Sequence, residues 1–147
     1  MLAVPYGAAR PLVERYAGEL EGRVVVDITN PLNDDYSGLV ETPAGSGAPE
    51  IAAAAPDAAR VVKAFNTTFA RTVADGQVAG QPLDVFVAGD DAEAKAAVTQ
   101  FVEAGGSRAI DAGPLARARD LEALGFVHIG LQGALGTGFG SAIKIVA

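Results

Sequence analysis

The segment RVVVDITNPLN, residues 23–33, decides the fold class of this chain. Its first six residues, 23–28, are almost continuously apolar and rich in β-branched side chains, which is typical of a strand buried in a parallel sheet. The residues that follow, Thr29, Asn30 and Pro31, favour a turn. The segment therefore predicts a buried strand that ends in a polar turn.

Outward from this segment, strand and helix patterns alternate along the chain. Strand-like apolar runs lie at residues 1–5, 61–65, 83–88 and 108–111. Helix-like spacing of apolar residues is found at 12–20, 50–59, 94–102 and 121–135. This alternation predicts an α/β fold, with a mostly parallel sheet, flanking helices and a C-terminal helical segment. Because no repeat or linker interrupts the pattern, residues 1–147 are expected to form a single domain.

Individual residues predict the ends and faces of the helices. Pro11 suits the first turn of the first helix. Asp90 and Glu93 have the spacing of a capping box, which places Asp90 at the N-cap of a later helix. In the last helix, Glu122 is expected on a solvated charged face. His128 lies on the apolar stripe of that helix and is expected to be a packed histidine rather than a catalyst.

Composition excludes several classes of protein. Half of the 147 residues are hydrophobic and the net charge is −7, so the chain is too apolar for a disordered protein and too acidic for a typical nucleic-acid binder. It has no Cys and one His, which excludes thiol chemistry and a His-rich metal site. No apolar run reaches the roughly 18 residues of a membrane helix, and no signal-peptide pattern occurs. We therefore expect a protein without nucleic-acid or membrane partners, and the lack of a targeting signal agrees with a location in the cytoplasm.

Polar segments follow three of the predicted strands, and they include residues 4–7, 29–32 and 66–68. Because ligands bind outside the carboxyl ends of parallel strands, these segments are expected to line one crevice. They offer amide, hydroxyl and backbone groups, but no general base, nucleophile or metal cluster. Such a site suits hydride transfer, in which the cofactors react and the protein orients them.

Each segment also has a purely structural interpretation. Asn30 and Pro31 form a common turn initiator. Asn66 and Thr67 are residue types that cap helices, and Tyr6 can belong to a turn that leads into a helix. The residues alone leave both interpretations open.

Five segments, taken in order, resemble the coenzyme F420-dependent NADP oxidoreductase family. They are LAVPY at 2–6, VDITNPLN at 26–33, VVKAFNT at 61–67, VAGDD at 87–91 and DAGPL at 111–115. The tail at 138–146 resembles the C-terminal segment of that family, and the cytosolic domain of six-transmembrane metalloreductases is a more distant relative. The resemblance covers nearly the whole chain. It implies the C-terminal part of a Rossmann-like NAD(P)-binding fold, and a hydride transfer between NADP(H) and coenzyme F420 that needs no protein acid or base.

The resemblance also implies which residues contact the two cofactors. Contacts with the NADP ribose and nicotinamide fall on Val4, Pro5 and Tyr6, and the bottom of the nicotinamide pocket falls on Asn30, Pro31 and Leu32. The position between nicotinamide and deazaflavin falls on Asn66, Thr67, Thr68 and Ala70, and the F420 side falls on Ser141 and its neighbours. No catalytic or metal-binding residue is implied.

The sequence lacks one feature of that family, the glycine-rich turn of the G-x-G-x-x-G kind. Backbone N–H groups of that turn bind the pyrophosphate, so this chain alone is expected to bind NADP with a Kd above about 10 μM. About the first half of the dinucleotide-binding fold is expected to be missing, which makes the chain a truncated member. The open strand edge at 2–4 could pair with another copy, which predicts a homo-oligomer.

Whether the chain is an enzyme stays open on the sequence. The first alternative is a non-catalytic α/β binding or oligomerisation module of the same descent. The second is an NADP-linked reductase of another small acceptor or a metal ion.

Overall fold

A four-stranded sheet forms the centre of the computed structural model, which describes residues 1–146. The strands along the chain are β1 (Val24–Asp27), β2 (Arg60–Lys63), β3 (Gln77–Val78), β4 (Gln81–Pro82), β5 (Asp84–Gly89) and β6 (Arg108–Gly113). The sheet has the order β1-β2-β5-β6. β1 pairs with β2 and β5 with β6 in parallel, whereas β2 and β5 are antiparallel. The predicted α/β fold with a mostly parallel sheet is confirmed.

Helices cover both faces of the sheet. They are α1 (Tyr6–Arg15), α2 (Ala17–Leu20), α3 (Gly47–Ala54), α4 (Ala70–Asp75), α5 (Ala92–Ala104) and α6 (Ala118–Leu135), with a 3₁₀ turn at Leu115–Arg117 before α6. β5 is buried along its whole length. Its residues Val85 and Val87 pack in one apolar cluster with Val98 of α5, while Phe86 packs in another with Leu121 of α6. None of the described helices has the length and apolar character needed to cross a membrane.

The first helix begins earlier than expected. The predicted strand at 1–5 is reduced to one parallel bridge between Leu2 and Asp27, and α1 starts at Tyr6. Pro11 therefore lies inside the helix and not in its first turn. The apolar face explains this, because Ala9, two residues before the proline, is fully buried together with Val13.

The N-cap of α5 is Asp91, so the prediction of Asp90 was wrong. The Asp91 carboxylate accepts a hydrogen bond of 2.8 Å from the backbone N–H of Ala94. β5 extends to Gly89, which moves the helix start one residue along the chain. Asp90 instead accepts a hydrogen bond from the Leu115 N–H at 2.9 Å and fixes the turn after β6.

Two elements were not predicted, namely the short helix α4 and the hairpin of β3 and β4. The hairpin turns at Ala79 and Gly80, which both have positive φ, at 51° and 74°. This backbone is the one that two-residue hairpins prefer. Gly76 ends α4 in the left-handed conformation, as C-terminal glycines commonly do.

Residues 137–146, which we call the C-terminal strap, run back along the sheet without regular secondary structure. The strap is fixed at the start of β5, where the fully buried Asp84 carboxylate accepts hydrogen bonds from Lys144 Nζ at 2.7 Å and the Ile145 N–H at 2.8 Å. Arg108 donates two more, at 2.8 and 2.6 Å. Burial alone would raise the pKa of Asp84, but these hydrogen bonds outweigh it and hold that pKa below its usual range.

We expect the Asp84 clamp to make stability depend on acid pH. A carboxyl whose pKa is lower in the folded than in the unfolded state stabilises the fold fully above the unfolded value of about 3.9 and loses this effect as the pH falls further. Asp84→Asn should therefore lower the free energy of unfolding at pH 7 by about 1–3 kcal/mol. It should also flatten the loss of stability below about pH 4. Thermal unfolding between pH 2 and 7 measures both effects.

Asp120→Asn is the matched control, because Asp120 is half-exposed and its ion pair within residues 1–146 is with the exposed Arg117. This variant should unfold nearly as the parent does at every pH. An Asp84→Asn variant with the parent's acid profile would contradict the clamp.

Candidate functional site

An ion cluster lies at the ends of the two neighbouring strands β1 and β2. Asp27 and Lys63 are the last residues of these strands and face each other in register. The Lys63 ammonium donates to Asp27 Oδ2 at 2.8 Å, to Glu122 Oε1 of α6 at 3.0 Å, and to the carbonyl of Thr29. The side chains of Asp27, Lys63 and Glu122 are all buried, so the cluster joins the sheet to α6 beneath the surface.

The second carboxylate of the cluster is balanced by the start of α3. Glu122 accepts hydrogen bonds from the N–H groups of Gly47 at 3.1 Å and Ala48 at 3.3 Å. These N–H groups have no partner within their own helix, and the helix dipole there favours a negative charge. The expectation that Glu122 lies on a solvated face was therefore wrong.

Two amides form a reciprocal pair directly after these strands. Asn30 Nδ2 donates to the Asn66 carbonyl at 2.8 Å, and Asn66 Nδ2 donates to Asn30 Oδ1 at 2.9 Å. Asn66 Nδ2 also donates to the Leu121 carbonyl at 2.9 Å. The Asn66 side chain thus joins the turn after β1 to α6 and does not cap a helix.

The orientation of the Asn66 amide follows from its partners. If its oxygen and nitrogen were exchanged, its oxygen would face two other oxygens, those of Asn30 and Leu121. The observed orientation therefore leaves Asn66 Oδ1 buried without a hydrogen-bond partner. Buried acceptors are rarely left unpaired, because this costs about 1–3 kcal/mol.

Gly125 allows α6 to approach this amide pair. A Cβ at position 125 would lie 2.9 Å from the Asn66 carbonyl oxygen and 3.0 Å from Asn30 Oδ1. The first distance is shorter than a carbon and an oxygen tolerate and the second is at the limit, so a larger residue would displace the pair or the helix. The close helix contact therefore requires glycine at this position.

A cavity of about 860 Å³ opens at the same ends of the strands. Four of the predicted site residues line it, and these are Asn30, Asn66, Thr68 and Ala70. The rest of its described lining is mainly apolar and aromatic, with Phe65, Phe69 and Phe139 among the contributors. None of the described lining residues carries a carboxylate, imidazole, guanidinium or lysine side chain. The lining can therefore bind and shield a ring but offers no strong acid or base.

Thr67 and Ser141 lie one layer behind the cavity and meet at His128. The Nδ1 of His128 is 3.0 Å from the Thr67 carbonyl, and its Nε2 is 2.8 Å from the Ser141 hydroxyl. Because a carbonyl only accepts, Nδ1 carries a proton and Nε2 faces the hydroxyl. The ring packs against Phe69, which lines the cavity, with 4.4 Å between centroids. His128 is thus a packed histidine, as its position on the apolar stripe predicts.

The remaining predicted residues lie elsewhere in the described structure. Val4 packs in the cluster formed by α1, α3 and β1, and Pro5 is the N-cap of α1. The Tyr6 hydroxyl donates to Glu50 Oε2 at 2.7 Å. Burial, followed by this hydrogen bond and the nearby carboxylates, raises the pKa of Tyr6.

The other two residues of this group follow Asn30 directly. Pro31 is buried beside a smaller pocket on the α6 side, and Leu32 forms a bridge with Leu39. The structure therefore brings the amide and hydroxyl side chains of two segments together, and it separates them from the segment around Tyr6.

Comparison with known proteins finds relatives that are named as reductases, although no family model matches the sequence. The chain is 33% identical over 139 residues to the F420-dependent NADP reductase of Methanocaldococcus jannaschii, covering 90% of this chain and 60% of that protein. It is 35% identical over 108 residues to the metalloreductase STEAP3 of Rattus norvegicus, covering 74% of this chain and 21% of that protein. The chain thus spans less than two thirds of each curated relative.

Solved structures agree with these relatives. The crystal structure of a protein assigned as an F420-dependent NADP reductase from Arthrobacter sp. FB24 superposes with a TM-score of 0.88 at 36% identity, covering 99% of this chain and 67% of that one. A hypothetical protein from Sinorhizobium meliloti superposes with a TM-score of 0.70 at 28% identity, covering 78% and 56%.

We expect Gly125→Ala to lower the free energy of unfolding by about 1–3 kcal/mol, because the added methyl overlaps the Asn66 carbonyl. Gly130→Ala in the same helix is the control, since a Cβ there meets nothing within 4 Å. It should raise stability by up to about 1 kcal/mol through helix propensity. Urea unfolding of both variants measures the difference, and equal effects at the two positions would exclude a close contact at Gly125.

We expect Lys63→Met to be among the most destabilising single substitutions, costing about 3–5 kcal/mol, because it leaves two carboxylates buried without a cation. The triple variant Asp27→Asn/Lys63→Met/Glu122→Gln removes all three charges and should recover most of the loss in a urea unfolding experiment. If the triple variant is as unstable as Lys63→Met, packing rather than charge compensation explains the effect.

Proposed function

The chain belongs to the F420-dependent NADP reductase family, as its sequence segments predict, and from this premise we propose that its cavity is the ring-binding part of a site for hydride transfer between NADP(H) and coenzyme F420. The family is one of oxidoreductases. Because the chain spans part of its relatives, the reaction, its cofactors and its partners are proposals for this chain.

The unpaired Asn66 Oδ1 is the observation that carries the proposal. Asn66 lines the cavity, and its Oδ1 is a buried acceptor without a donor. The nicotinamide ring carries a carboxamide with two N–H donors, and one of them would satisfy this oxygen. The residues present therefore fit the group, with Asn66 held in place for it by Asn30 and Leu121.

The walls of the cavity support a ring ligand as well. A concave, largely apolar lining with a few placed polar groups is the usual form of a cofactor site. The aromatic side chains of the cavity lining would exclude water from the reacting rings. Exclusion of water protects a hydride from side reactions. When bound, NADP(H) and F420 supply the hydride donor and acceptor. The chain's own task is to bind, orient and shield, which its lining residues can do without an acid or base.

The other predicted contacts stay within the proposal. Thr67 and Ser141 would act through His128 and Phe69, since they lie behind the cavity wall. Val4, Pro5 and Tyr6, with Pro31 and Leu32, would contact NADP away from the cavity. The location in the cytoplasm, the homo-oligomer and the absence of a nucleic-acid partner also stay predictions. The net charge of −7 supports the last of these, the open strand edge at 2–4 supports the second, and the first follows from the family resemblance.

A second candidate is the reduction of a metal ion, which the similarity to a metalloreductase favours. The cavity lining gives it less support, because it holds none of the carboxylate or imidazole groups that bind metal ions among its described residues. A ferric chelate offered in place of F420 tests this candidate in the same assay.

The proposal is tested with the purified chain, NADPH and F420, by following the visible absorbance of the deazaflavin. We expect F420 to be reduced, with an NADPH Kd above about 10 μM. The 3-acetylpyridine analogue of NADP has a methyl group in place of the carboxamide NH₂. We expect it to bind about tenfold more weakly than NADP, because Asn66 Oδ1 then stays unpaired.

Asn66→Ala should abolish this discrimination, with both ligands bound weakly and about equally. Asn33→Ala is the control, because Asn33 binds Ser37 within an exposed loop and does not line the cavity among the described residues. Equal affinities of the parent chain for NADP and its analogue would remove Asn66 from the site. Binding of both cofactors without reduction of F420 would identify a non-catalytic module.

A further inference from the structure

Left-handed backbone at residues other than glycine is concentrated at the cavity. Four residues other than glycine have positive φ in the described chain, and they are Tyr36 at 59°, Phe65 at 62°, Ala79 at 51° and Phe139 at 60°. Tyr36, Phe65 and Phe139 all line the cavity, whereas Ala79 lies in the hairpin turn.

This conformation is unfavourable for large side chains. Left-handed φ brings Cβ against the following carbonyl, and bulky residues adopt it rarely. At Ala79 the turn geometry requires it. Phe139 stands between Gly138 and Gly140, so glycine is available on either side, yet the aromatic residue itself takes a left-handed position. Such outliers persist where the surroundings impose them, and they cluster at ligand sites.

Two of these three aromatic residues expose much of their surface, whereas Phe65 is partly buried. Tyr36 is 66% exposed and Phe139 is 49% exposed. Phe139 meets the Phe69 ring edge to face at 5.1 Å, and Phe65 meets Phe101 in the same way at 6.2 Å. Strain and exposure together are hard to explain by stability of the fold, since both oppose it. They are explained if a flat apolar ligand covers these rings.

The structure also holds one of these rings firmly. Phe139 precedes Ser141 by two residues, and the Ser141 hydroxyl is bound by His128 at 2.8 Å and by Gln132 Nε2 at 2.9 Å. Gln132 Oε1 in turn accepts from Thr137 at 2.6 Å, so both ends of the segment around Phe139 are tied to α6. The ring is therefore preorganised and does not need to be ordered when a ligand binds.

We propose that Tyr36, Phe65 and Phe139 are specificity-determining residues that enclose a planar tricyclic ring, that of the deazaflavin, through aromatic contacts. This inference rests on the proposed function in placing the deazaflavin beside the nicotinamide. It goes beyond that proposal by assigning the ring to three residues that are not among the cofactor contacts implied by the sequence segments. In this proposal, the strained left-handed backbone at these three residues serves to direct their rings toward the cavity.

The test replaces the strained residues by glycine, which relieves strain and removes the ring at once. Phe139→Gly and Tyr36→Gly should each weaken binding of F420 and of riboflavin, which has a similar tricyclic ring without phosphates, by about three- to tenfold. Their thermal midpoints should stay within about 3 °C of the parent, because released strain offsets the lost contacts. Fluorescence titration and thermal unfolding give the two readouts.

Ala79→Gly is the matched control, since it relieves strain at a left-handed position away from the cavity, and it should leave both affinities unchanged. Phe139→Tyr keeps the ring and should retain affinity within about twofold. Affinities within twofold of the parent in both glycine variants would overturn the proposal. So would a parent chain that binds neither ring, or glycine variants whose midpoints fall as steeply as those of core substitutions.

The outcomes also separate this inference from the proposed function. Ring binding that is lost in the glycine variants, in a chain that does not reduce F420 with NADPH, would support the aromatic enclosure and reject the reaction. Reduction of F420 that is insensitive to both Phe139→Gly and Tyr36→Gly would support the reaction and reject the enclosure.

Discussion

The rest of the site depends on the hydrogen bonds and ion pairs of the buried Lys63 ammonium. It lies where two neighbouring strands end, and its three oxygen partners come from the end of β1, from the turn after it, and from α6. A buried lysine without such partners would be very costly, whereas one with a full set of acceptors is tolerated. The positions of Asp27 and Glu122 are therefore fixed by the need to neutralise one cation.

The amide pair takes its position from this cluster. Asn30 follows the Thr29 carbonyl that Lys63 binds, and Asn66 is three residues beyond Lys63. The amide pair also binds the carbonyl of Leu121, the residue immediately before Glu122. Each segment that contributes to the pair is thus anchored by a neighbouring member of the ion cluster. The geometry at the cavity is set by charges that do not themselves line it.

The sequence is sufficient to predict the strands of the central sheet and the positions of Asn30 and Asn66 at their ends, but it does not predict the position of Glu122 or the backbone conformation of the cavity aromatics. Runs of apolar residues place the strands, and their polar ends point to Asn30 and Asn66 because parallel strands present their carboxyl ends together. Lys63 also stands out as a cation inside the apolar run 61–65, and Asp27 as an anion inside 23–28. A charge in a buried strand requires a partner, and this signal could have located the cluster.

Glu122 was assigned to a solvated face because Arg117, Arg119 and Asp120 precede it, although it shares the buried helical stripe with Leu121 and Gly125. The left-handed backbone of Phe65 and Phe139 has no such signal, because nothing in the residue type favours it.

The separation of charge from the cavity has a chemical consequence for the proposed hydride transfer. In a low dielectric, an uncompensated charge beside a reacting ring would change its reduction potential strongly. Here the cation, both carboxylates and the first N–H groups of α3 neutralise one another behind the amide pair. Amides, a threonine and aromatic rings are among the groups that line the cavity. They position a ring and shield it from water, and the electrostatic field that they add is weak. A reaction whose electrons and hydride come entirely from its cofactors needs rigid placement more than protein charge. The fold supplies this by confining its charges to the layer that holds the walls in place.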